Sequence, residues 1–545
     1  MKILWIDLNS SYAHASLALP ALHAQVKKRN DIEWHIISAT INDTPGTVTA
    51  EASRCSPDII ASTAWIFNRE MLLHIISRLK VLFPESTVIL GGPEFLGDNS
   101  LFLRFSPYVD CVFRGEGEEE FPHWLNYWND RSNWNSIKGL CYINDNGEYI
   151  DNGIARVNEF EKLIVPEKSP FFNWNKPFVQ LETTRGCFNT CTFCVSGSEK
   201  PVRTLEISTL RERIENISHH GIRDIRILDR TFNYNTTRAQ ALLSLFTEFA
   251  GKMRFHLEIH PGLLNDGLKQ QLETLPDNLL HLEAGIQSLR QEVLDACHRK
   301  GDVQKSLEGL RFLCSLTNME THADLIAGLP FYHIYQIFED IHTLAHYNAG
   351  EIQLELLKLL PGTEMRRKAA ELGIYYSPLP PYEVLKTNDI TPEELQQARR
   401  LSRLLDGYYN GSPWREITRQ LILSESGFLK EFLDFLTDTE VIEKPLSTEK
   451  RGMLLYDFCK IKLPQRLHEI SIAWISNGMS IKKEPAFGIR TKGIRAPQKW
   501  IIKKGSYHTS MKLYLLPGKD TDTWFGYLPD KKIAVPDMIA LSISK

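Results

Sequence analysis

Short apolar runs alternate with amphipathic helical stretches along roughly the first 375 residues of this 545-residue chain. Within residues 1–128, runs such as KILWIDL and PDIIAST take turns with helical stretches such as REMLLHIISRLKVLF. Strict alternation indicates a parallel sheet with helices on both faces, and such sheets bind ligands beyond the carboxyl ends of their strands. We therefore predict a Rossmann-like, doubly wound parallel sheet over residues 1–128.

A second alternating series follows a polar stretch. Residues 129–175 contain the turn signal NDNGEY and predict a linker with a small β-excursion. Residues 176–375 alternate for six rounds, from FVQLETT to EIQLELLKLLP, which predicts a partial (β/α)6 barrel of the TIM type. Residues 376–545 begin with a proline-rich connector and become mostly helical, so we predict an accessory C-terminal region of unknown role. The predicted fold class is α/β.

The composition is that of an ordinary globular chain, with 43% hydrophobic and 24% charged residues and a net charge of -4. This charge provides no global field for nucleic acid or a membrane surface. The opening MKILWIDLNS predicts a strand rather than a signal peptide, and no uncharged run of roughly 20 apolar residues predicts a transmembrane helix. Nine cysteines are too few for a disulfide framework at this length. We therefore expect a cytoplasmic protein without a membrane partner.

Three cysteines fall within ten residues, in RGCFNTCTFC. Cys187, Cys191 and Cys194 follow the first predicted barrel strand, at the face where barrel active sites gather. A structural zinc site usually takes a fourth protein ligand, and the next candidate along the chain is His219. A four-iron cluster held by three cysteines keeps one iron open to a further ligand. We predict that these cysteines bind a [4Fe-4S] cluster.

The spacing Cys-x-x-x-Cys-x-Phe-Cys, with Phe193 before the last cysteine, resembles the signature of the radical S-adenosylmethionine (SAM) enzymes. The six-unit partial barrel is also the architecture of that family. The resemblance implies that the open iron chelates SAM through its amino and carboxylate groups. It further implies that an electron from the cluster cleaves SAM to a 5'-deoxyadenosyl radical. The cofactors carry this chemistry, while the protein positions them and excludes water.

The resemblance also implies SAM contacts at the ends of the barrel strands. Asp229 closes the second strand, where the family holds the methionyl amino group, and Glu258 ends the third. The fourth strand end is where ribose or carboxylate is contacted, and the fifth is where backbone packs on adenine. The predicted SAM-binding residues are Phe193, Asp229, Glu258, Gln287, Ser288, Gly328, Leu329 and Pro330. A carboxylate at a strand end is also typical of a helix cap, so that alternative stays open. No catalytic residue is predicted.

The first domain resembles the cobalamin-binding domain often fused in front of this barrel, through CSPDIIASTAWIFN, VILGGPEF and VDCVFRGEGEEEF. The predicted cobalamin-binding residues are Asn9, Tyr12, His14, Ser62, Thr63, Trp65, Asn68, Gly91, Gly92, Pro93, Glu94, Gly115, Glu116 and Gly117. Glycine permits close approach of a ligand to the backbone, although a plain turn glycine is the alternative at each position. Some cobalamin enzymes carry Asp-x-His-x-x-Gly after the first strand, but residues 7–12 read DLNSSY, so the ligating histidine is absent. His14 lies close by and either contacts the cofactor or is an ordinary surface histidine.

The two resemblances together predict a cobalamin-dependent radical SAM enzyme that transfers a methyl group to an unactivated carbon of an unknown substrate. Cofactors bound at one barrel mouth would place the methyl donor and the radical near the same substrate. A reducing partner such as flavodoxin or ferredoxin is expected to supply electrons. One alternative uses cobalamin for rearrangement, cyclisation or oxidation without methyl transfer. Another alternative is a cobalamin or redox sensor without catalysis.

Two further features bear on nucleic acid as a substrate. Enzymes that add methylthio groups to tRNA resemble this barrel and have three N-terminal cysteines for a second cluster. Cys55, Cys111 and Cys141 are also three, but their spacing differs from that pattern. Between Lys482 and Lys504, eight basic residues face one acidic residue, which suits phosphate binding, although a solvated basic loop is more common. Nucleic acid is therefore the least favoured substrate class.

Overall fold

The computed structural model describes residues 1–477 and, beyond them, Met479, Glu484 and five strand segments. These segments are Ile489–Arg490, Lys512–Leu516, Thr521–Leu528, Ile533–Ala534 and Leu541–Ser544, and they pair antiparallel in one sheet. The basic stretch from Lys482 to Lys504 therefore lies almost entirely outside the described residues.

Two compact units divide the chain. One comprises Met1–Ile334 with Leu356–Leu395, and the other comprises Tyr335–Glu355 with Gln396–Lys545. The first unit contains almost all of both predicted α/β domains. The predicted boundaries at residues 128, 175 and 375 stay predictions. Within the described part of the chain, no helix combines the length and the apolar character needed to cross a membrane.

Seven strands form the first sheet. They are Lys2–Asn9, Glu33–Thr40, Ile59–Thr63, Thr87–Gly91, Cys111–Phe113, Leu140–Ile143 and Tyr149–Asp151. Counted along the chain, their order in the sheet is 2-1-3-4-5-6-7, with the first five parallel and the last two antiparallel. The helices between them are Ala18–Val26, Pro45–Ala52, Arg69–Leu82, Ser100–Phe105 and Glu120–Trp124. This arrangement confirms the Rossmann-like prediction, and the two antiparallel strands come from the stretch predicted as a β-excursion.

Both faces of this sheet are buried. In its first strand, Leu4 and Ile6 pack into one hydrophobic cluster, whereas Ile3 and Trp5 pack into another. Because neighbouring side chains point to opposite faces, burial of both faces requires a nearly continuous apolar sequence. This is why KILWIDL predicts a central strand. Shortening one of these side chains, as in Leu4→Ala, is expected to cost about 2–5 kcal/mol of stability.

The second sheet of the first unit is parallel. Its strands Phe178–Leu181, Asp224–Ile227, Arg254–Ile259, Leu280–Gln287 and Glu320–Ala327 pair consecutively in that order. The helices between them are Ile207–His219, Thr236–Thr247, Asp266–Thr274, Gln291–Ala296 and Val303–Ser315. A sixth strand, Glu351–Leu356, follows the helix Ile334–His346 along the chain. The six strand–helix rounds confirm the predicted partial barrel.

Alternation along the barrel strands separates a helix-covered face from an inner face. In Arg254–Ile259, Phe255, Leu257 and Ile259 are buried, while His256 and Glu258 are only partly buried. Side chains two residues apart share a face, so His256 and Glu258 both belong to the inner face. The inner face and the loops at the carboxyl ends of the strands are where a barrel places its functional groups.

Shorter elements complete the first unit. Thr184–Arg185 pairs antiparallel with Arg203–Thr204, and Tyr375–Tyr376 pairs antiparallel with Val384–Lys386. The remaining short helices are Pro93–Phe95, Arg131–Ser136, Phe160–Lys162, Pro166–Lys168, Val195–Ser198, Phe232–Tyr234, Pro261–Leu263 and Glu364–Arg367. The pairing of Thr184–Arg185 matters for the site because it leads directly into RGCFNTCTFC.

The C-terminal region is mainly helical up to residue 476. Its helices are Pro392–Tyr408, Arg415–Ser424, Phe428–Asp438, Thr448–Lys462 and Leu467–Ser476, with the short turn Pro464–Arg466. Trp414 and Trp474 are fully buried with ring centroids 6.2 Å apart. A β-carbon on Gly452 would lie 2.3 Å from Trp414 Cζ2, so only glycine lets that helix approach the ring. The predicted helical C-terminal region is confirmed.

Candidate active site

A cavity of about 560 Å³ lies within the first unit, where the strands of its two sheets end. Thr63 and Gly91, the last residues of two strands of the first sheet, line one side. Arg185 and Glu258 line the other side, from the second sheet and the loop that follows its first strand. Both sheets are parallel here, and parallel sheets bind ligands at this edge. The cavity is therefore the natural ligand site of both domains.

Most of the residues predicted to bind cobalamin line this cavity. They are Asn9, His14, Ser62, Thr63, Trp65, Gly91, Gly92, Pro93, Gly115, Glu116 and Gly117. Among the residues predicted to bind SAM, Glu258 lines the cavity. The cysteine-bearing loop reaches it through Gly186, Val195 and Ser196.

The loop that carries the three cysteines is wound tightly. Gly186 has a φ of +93°, and a β-carbon there would lie 2.5 Å from Glu199 O. A β-carbon on Gly197 would lie 2.4 Å from Cys191 O. The backbone N–H of Cys194 donates a hydrogen bond to Cys191 O at 3.2 Å. Glycine at both positions thus lets the chain fold back on itself and gather the thiols.

Hydrogen-bond donors contact the thiols of this loop. Asn189 N donates to Cys187 Sγ at 3.4 Å, and Arg299 Nη1 donates to Cys191 Sγ at 3.6 Å. Burial raises the pKa of Cys191 and Cys194, and charge on the neighbouring cysteines raises it further. Without a metal, these thiols resist deprotonation. Coordination to a metal deprotonates a thiol, so a bound metal centre would stabilise the three thiolates together. The donor set of this loop fits an iron–sulfur cluster.

On the other side of the cavity, glycine backbone forms a close-fitting wall. Gly92 has a φ of +106°, and a β-carbon there would lie 2.6 Å from Ala64 O. Gly115 has a φ of +108°, and its β-carbon would lie 2.2 Å from Ala155 O. Such positive φ angles favour glycine strongly, and the missing β-carbons let the backbone pack directly on Ala64 and Ala155 at the edge of the cavity. These residues fit the edge of a cobalamin site.

Comparison with known protein families identifies the two domains that form the walls of this cavity. Residues 6–125 match the B12 binding domain, and residues 181–342 match the Radical SAM superfamily. The chain joins a B12-binding domain to a radical SAM domain. Residues 370–475, which follow the radical SAM domain, match a family of proteins of unknown function, DUF4080. Cobalamin is thus the cofactor of the first domain, and the [4Fe-4S] cluster and SAM are those of the second.

The chain is similar to several curated proteins and solved structures. The cobalamin-dependent radical SAM methyltransferase TokK of Streptomyces tokunonensis is 23% identical over 331 residues, covering 57% of this chain and 48% of TokK. The tRNA-2-methylthio-N(6)-dimethylallyladenosine synthase of Acinetobacter baylyi is 24% identical, covering 59% and 68% of the two chains. The structure of OxsB with aqua-cobalamin and SAM bound matches with a TM-score of 0.61 at 13% identity, covering 86% of this chain and 80% of OxsB. The chain spans about half the length of TokK, and the likeness to OxsB shows the fold alone.

Glu258 is the predicted SAM residue that faces the cavity. Burial raises its pKa to about 7, with the negative charges of Glu283 and Asp229 adding to the rise and Arg230 opposing it. The carboxyl group is therefore poised to gain or lose a proton near neutral pH. Its predicted contact with SAM stays a prediction.

Asp229 has a different environment. It is 1% exposed and accepts hydrogen bonds from Thr183 N at 2.8 Å and Thr184 N at 2.9 Å. The hydroxyl of Thr183 donates a third bond at 2.5 Å. These bonds tie the end of the second barrel strand to the end of the first, just ahead of the cysteine loop. Asp229 thus has hydrogen-bond partners within the protein, Thr183 and Thr184. Its predicted contact with the methionyl amino group of SAM stays a prediction.

The other predicted SAM residues do not line the cavity. Gln287 follows an irregularity in strand pairing and has a φ of +71°, while Ser288 is fully buried. Gly328 has a φ of +93° and is enclosed by Leu357, Leu395 and Val384, whose atoms lie 3.5–3.6 Å from its β-carbon position. Leu329 and Pro330 are buried, and Phe193 is partly buried. Their SAM roles stay predictions.

Three predicted cobalamin residues also lie off the cavity. Tyr12 is 72% exposed. Asn68 is buried and donates to Leu8 O at 2.8 Å and to Thr63 O at 3.1 Å, which joins neighbouring strand ends. Glu94 is buried and accepts a hydrogen bond from the Tyr382 hydroxyl at 2.5 Å. The structure thus gives Asn68 and Glu94 partners within the protein, and the predicted cobalamin contacts of all three stay predictions.

His14 lies in the cavity wall where the two domains meet. Its ring packs edge-on against Phe178 of the first barrel strand at a centroid distance of 5.4 Å. Its Nδ1 is 2.9 Å from Ser11 Oγ. The rings of Trp65 and Phe67 stack with centroids 6.3 Å apart, and both line the cavity. These aromatic groups provide an apolar wall at the junction between the domains.

Sequence reasoning missed an ion-pair network that joins the two domains beside the cysteine loop. Arg185 pairs with Glu118 at 2.6 Å and with Glu182 at 2.8 Å. Arg203 pairs with Glu116 at 2.5 Å. Burial alone would raise the pKa of Glu116, but hydrogen bonds from Arg203 and the Val157 N–H hold the pKa below its ordinary value. The only sign of this network in the sequence is the acidic run GEGEEE. Its arginine partners lie far along the chain, so no local pattern reveals them.

The N-terminal cysteines do not form a second cluster site among the described residues. Cys111 and Cys141 lie on adjacent strands, but Cys111 packs into one hydrophobic cluster and Cys141 into the cluster on the opposite face of the sheet. A single metal centre requires its ligands on one side. Burial raises the pKa of Cys55, Cys111 and Cys141, so all three are expected to be protonated core thiols.

Proposed function

We propose that this protein is a cobalamin-dependent radical SAM methyltransferase that acts on a carbon atom of a substrate still to be identified. The observation that carries the proposal is the single cavity whose walls come from the B12-binding domain and from the radical SAM domain. A shared cavity brings a methyl donor and a radical source to one substrate, as proximity requires. The relative TokK, a methyltransferase of this cofactor type, supports the choice of reaction.

The residues of the chain have distinct parts in this proposal. Cys187, Cys191 and Cys194 would hold the cluster, and the backbone at Gly92 and Gly115 would hold cobalamin. When bound, the cofactors supply reductive cleavage of SAM and a transferable methyl group. The Arg185 and Arg203 ion pairs join the two walls of the cavity, and Trp65 adds apolar surface to it.

Glu258 is the group in this cavity best suited to handle a proton. Its pKa of about 7 leaves the carboxyl group near half-protonated at neutral pH. A base with a pKa near the working pH is the most effective proton acceptor. We propose that Glu258 exchanges a proton with the substrate and takes no direct part in transfer of the methyl group.

The proposed reaction needs an electron donor and a reducing compartment. A small redox protein such as flavodoxin or ferredoxin would reduce the cluster. None of the nine cysteines, all within the described part of the chain, forms a disulfide, which agrees with a location in the reducing cytoplasm.

The test is an anaerobic reaction of the cluster-loaded, cobalamin-loaded protein with SAM and a strong reductant. We expect 5'-deoxyadenosine and S-adenosylhomocysteine from the wild type, and a substrate that gains the mass of one CH₂ group. The variant C187A/C191A/C194A should lose the iron and both products while retaining cobalamin. The matched variant C55A/C111A/C141A should keep about four irons per chain and both products.

The outcomes separate the proposal from its rivals. Deoxyadenosine without S-adenosylhomocysteine, and a product without added mass, would favour rearrangement, cyclisation or oxidation. Loss of iron from C55A/C111A/C141A, with its cobalamin retained, would favour a methylthiotransferase with a second cluster. Absence of SAM cleavage with every candidate substrate, combined with a partner whose affinity changes with cofactor binding, would favour a sensor.

A further inference from the structure

A group of histidines lies on the inner face of the radical SAM sheet, outside the cavity. His281 belongs to the strand Leu280–Gln287, and His322 belongs to the neighbouring strand Glu320–Ala327. His281 and Glu320 are register partners across the two parallel strands. Glu320 and His322 are two residues apart and so share a face of their strand. The sheet thus places two imidazoles and one carboxylate side by side.

The distances between these groups suit one metal ion. One ligand atom from each of His281, Glu320 and His322 lies within 4.8 Å of the other two. His281 Nε2 and His322 Nδ1 are 3.4 Å apart. Metal–nitrogen bonds of about 2.0–2.1 Å in a tetrahedral zinc site put neighbouring ligand atoms about 3.3 Å apart. The two imidazoles have this separation, which also suits a hydrogen bond, and Glu320 Oε2 lies 3.7 Å from His281 Nδ1.

We propose that His281, Glu320 and His322 form a binding site for a divalent transition-metal ion, with Zn²⁺ as the best match. Two imidazole nitrogens and one carboxylate oxygen are a ligand set that zinc accepts, with water completing the tetrahedron. His256 is the register partner of His281 on the next strand, and its ring centroid is 4.6 Å from that of His281. His256 Nε2 lies 3.7 Å from Asp224 Oδ1, so water is left to complete the metal site.

Charged groups of both signs lie around this site. Arg254 and Arg226 are the nearby guanidinium groups. Arg254 pairs with Asp224 at 2.9 Å, and Arg226 lies over the Phe178 ring at 4.0 Å. Each guanidinium therefore has a partner of its own. Glu320 contributes the negative charge that a divalent ion requires.

The site is separate from the cofactor cavity. Glu258 lines the cavity, and His256 lies two residues earlier on the same strand, about 6.6 Å further from the carboxyl end. His281, Glu320 and His322 do not line the cavity. Features toward the amino-terminal ends of barrel strands usually serve stability. We therefore expect a metal that ties two strands together, and this inference does not rest on the proposed methyl transfer.

Zinc binding to the full chain tests the site directly. The cluster-loaded protein is titrated anaerobically with Zn²⁺ against a chromophoric chelator, so that the cysteine loop is already occupied. We expect about one zinc per chain for the wild type and for the control H74N, which changes an exposed histidine of the B12-binding domain. The variant H281N/H322N should lose this zinc. Glu320→Gln should weaken binding by at least roughly tenfold, since even outer partners of a metal are worth about 10–100-fold in affinity.

Three results would overturn the proposal. One is a wild type that takes up no zinc in competition with the chelator. Another is an H281N/H322N variant that binds zinc as the wild type does. The third is zinc binding that occurs before the cluster is loaded and disappears once it is loaded, which would place the ion on the thiols. Retained cobalamin shows that each variant is folded, and the exposed position of Glu320 makes Glu320→Gln the variant least able to disturb folding.

Discussion

The two walls of the shared cavity differ in how directly their residues can be identified. On the B12-binding side, the glycine turns and the polar strand ends picked out from the sequence line the cavity together. On the radical SAM side, Glu258 lines it, while Asp229 and Ser288 are buried in contacts within the protein. The difference teaches that a residue at a strand end marks the site only where contacts within the protein do not enclose it, and Gly328, enclosed despite its φ of +93°, belongs with Asp229 and Ser288.

The physical reason lies in what each residue type can do elsewhere. Glycine at a φ near +105°, as at Gly92 and Gly115, is required by the local chain path at the ligand edge. A carboxylate at a strand end satisfies backbone N–H groups as well as it binds a ligand, and Asp229 does so for Thr183 and Thr184. Four substitutions sharpen or break this contrast.

Gly115→Ala should have the largest effect. Its φ of +108° would strain an alanine by about 1–3 kcal/mol, and the new β-carbon would also clash with Ala155 O at 2.2 Å. We expect a large loss of stability in urea unfolding and loss of bound cobalamin. Gly147→Ala is the matched control, because it has a φ of +78° but no atom within 4 Å of the β-carbon position. Equal stability and equal cobalamin content in the two variants would remove the argument from the close approach of Gly115 to Ala155.

Asp229→Asn should be next in size. The amide cannot accept all three hydrogen bonds from Thr183 and Thr184, and a poorly satisfied buried group costs about 1–3 kcal/mol. We expect lower stability with little change in SAM affinity per folded molecule, measured by calorimetry on the cluster-loaded protein. Asp277→Asn, at an exposed position, is the control. A large loss of SAM affinity at unchanged stability would instead make Asp229 a ligand-binding residue.

Glu258→Gln should change the pH dependence of stability. The pKa of Glu258 is about 7 in the folded protein and has an ordinary value of 4.5, so the unfolded chain loses this proton first as the pH rises. The contribution of Glu258 to stability therefore falls between pH 4.5 and 7 and is constant above pH 7. We expect the free energy of unfolding of Glu258→Gln, relative to wild type, to rise across this window. If the free energies of unfolding of the two proteins changed with pH in parallel, the Glu258 carboxyl would have an ordinary pKa.

Arg299→Gln should have the smallest effect of the four substitutions, and it should change only the reduction potential of the cluster. Arg299 donates a hydrogen bond to Cys191 Sγ, and both this bond and its charge favour the reduced, more negative cluster. We expect a more negative reduction potential by EPR-monitored titration, with iron content and cobalamin binding unchanged. Arg78→Gln, at an exposed position of the B12-binding domain, should leave the potential where it is. An unshifted potential in Arg299→Gln would mean that this contact is too weak to matter.

The fold could be predicted from the sequence because burial of both sheet faces forces continuous apolar strands separated by helices. The cysteine loop could be predicted because three thiols at fixed spacing after a strand have few other uses. The ion pairs of Arg185 and Arg203, and the hydrogen bond of Arg299, join residues far apart in the chain and leave no local pattern. Cys111 and Cys141 show a related limit, since only strand pairing reveals that they lie on opposite faces.

The central claim is that the two cofactor sites open into one cavity, and magnetic coupling between the cofactors tests it most directly. EPR spectra would be recorded for the protein carrying cobalamin in its Co(II) form and a reduced [4Fe-4S] cluster, and for C187A/C191A/C194A carrying Co(II) cobalamin alone. The account predicts that the Co(II) signal is broadened or split only when the reduced cluster is present. A Co(II) signal that is identical in the two proteins, with both cofactors fully bound in the wild type, would contradict a shared cavity.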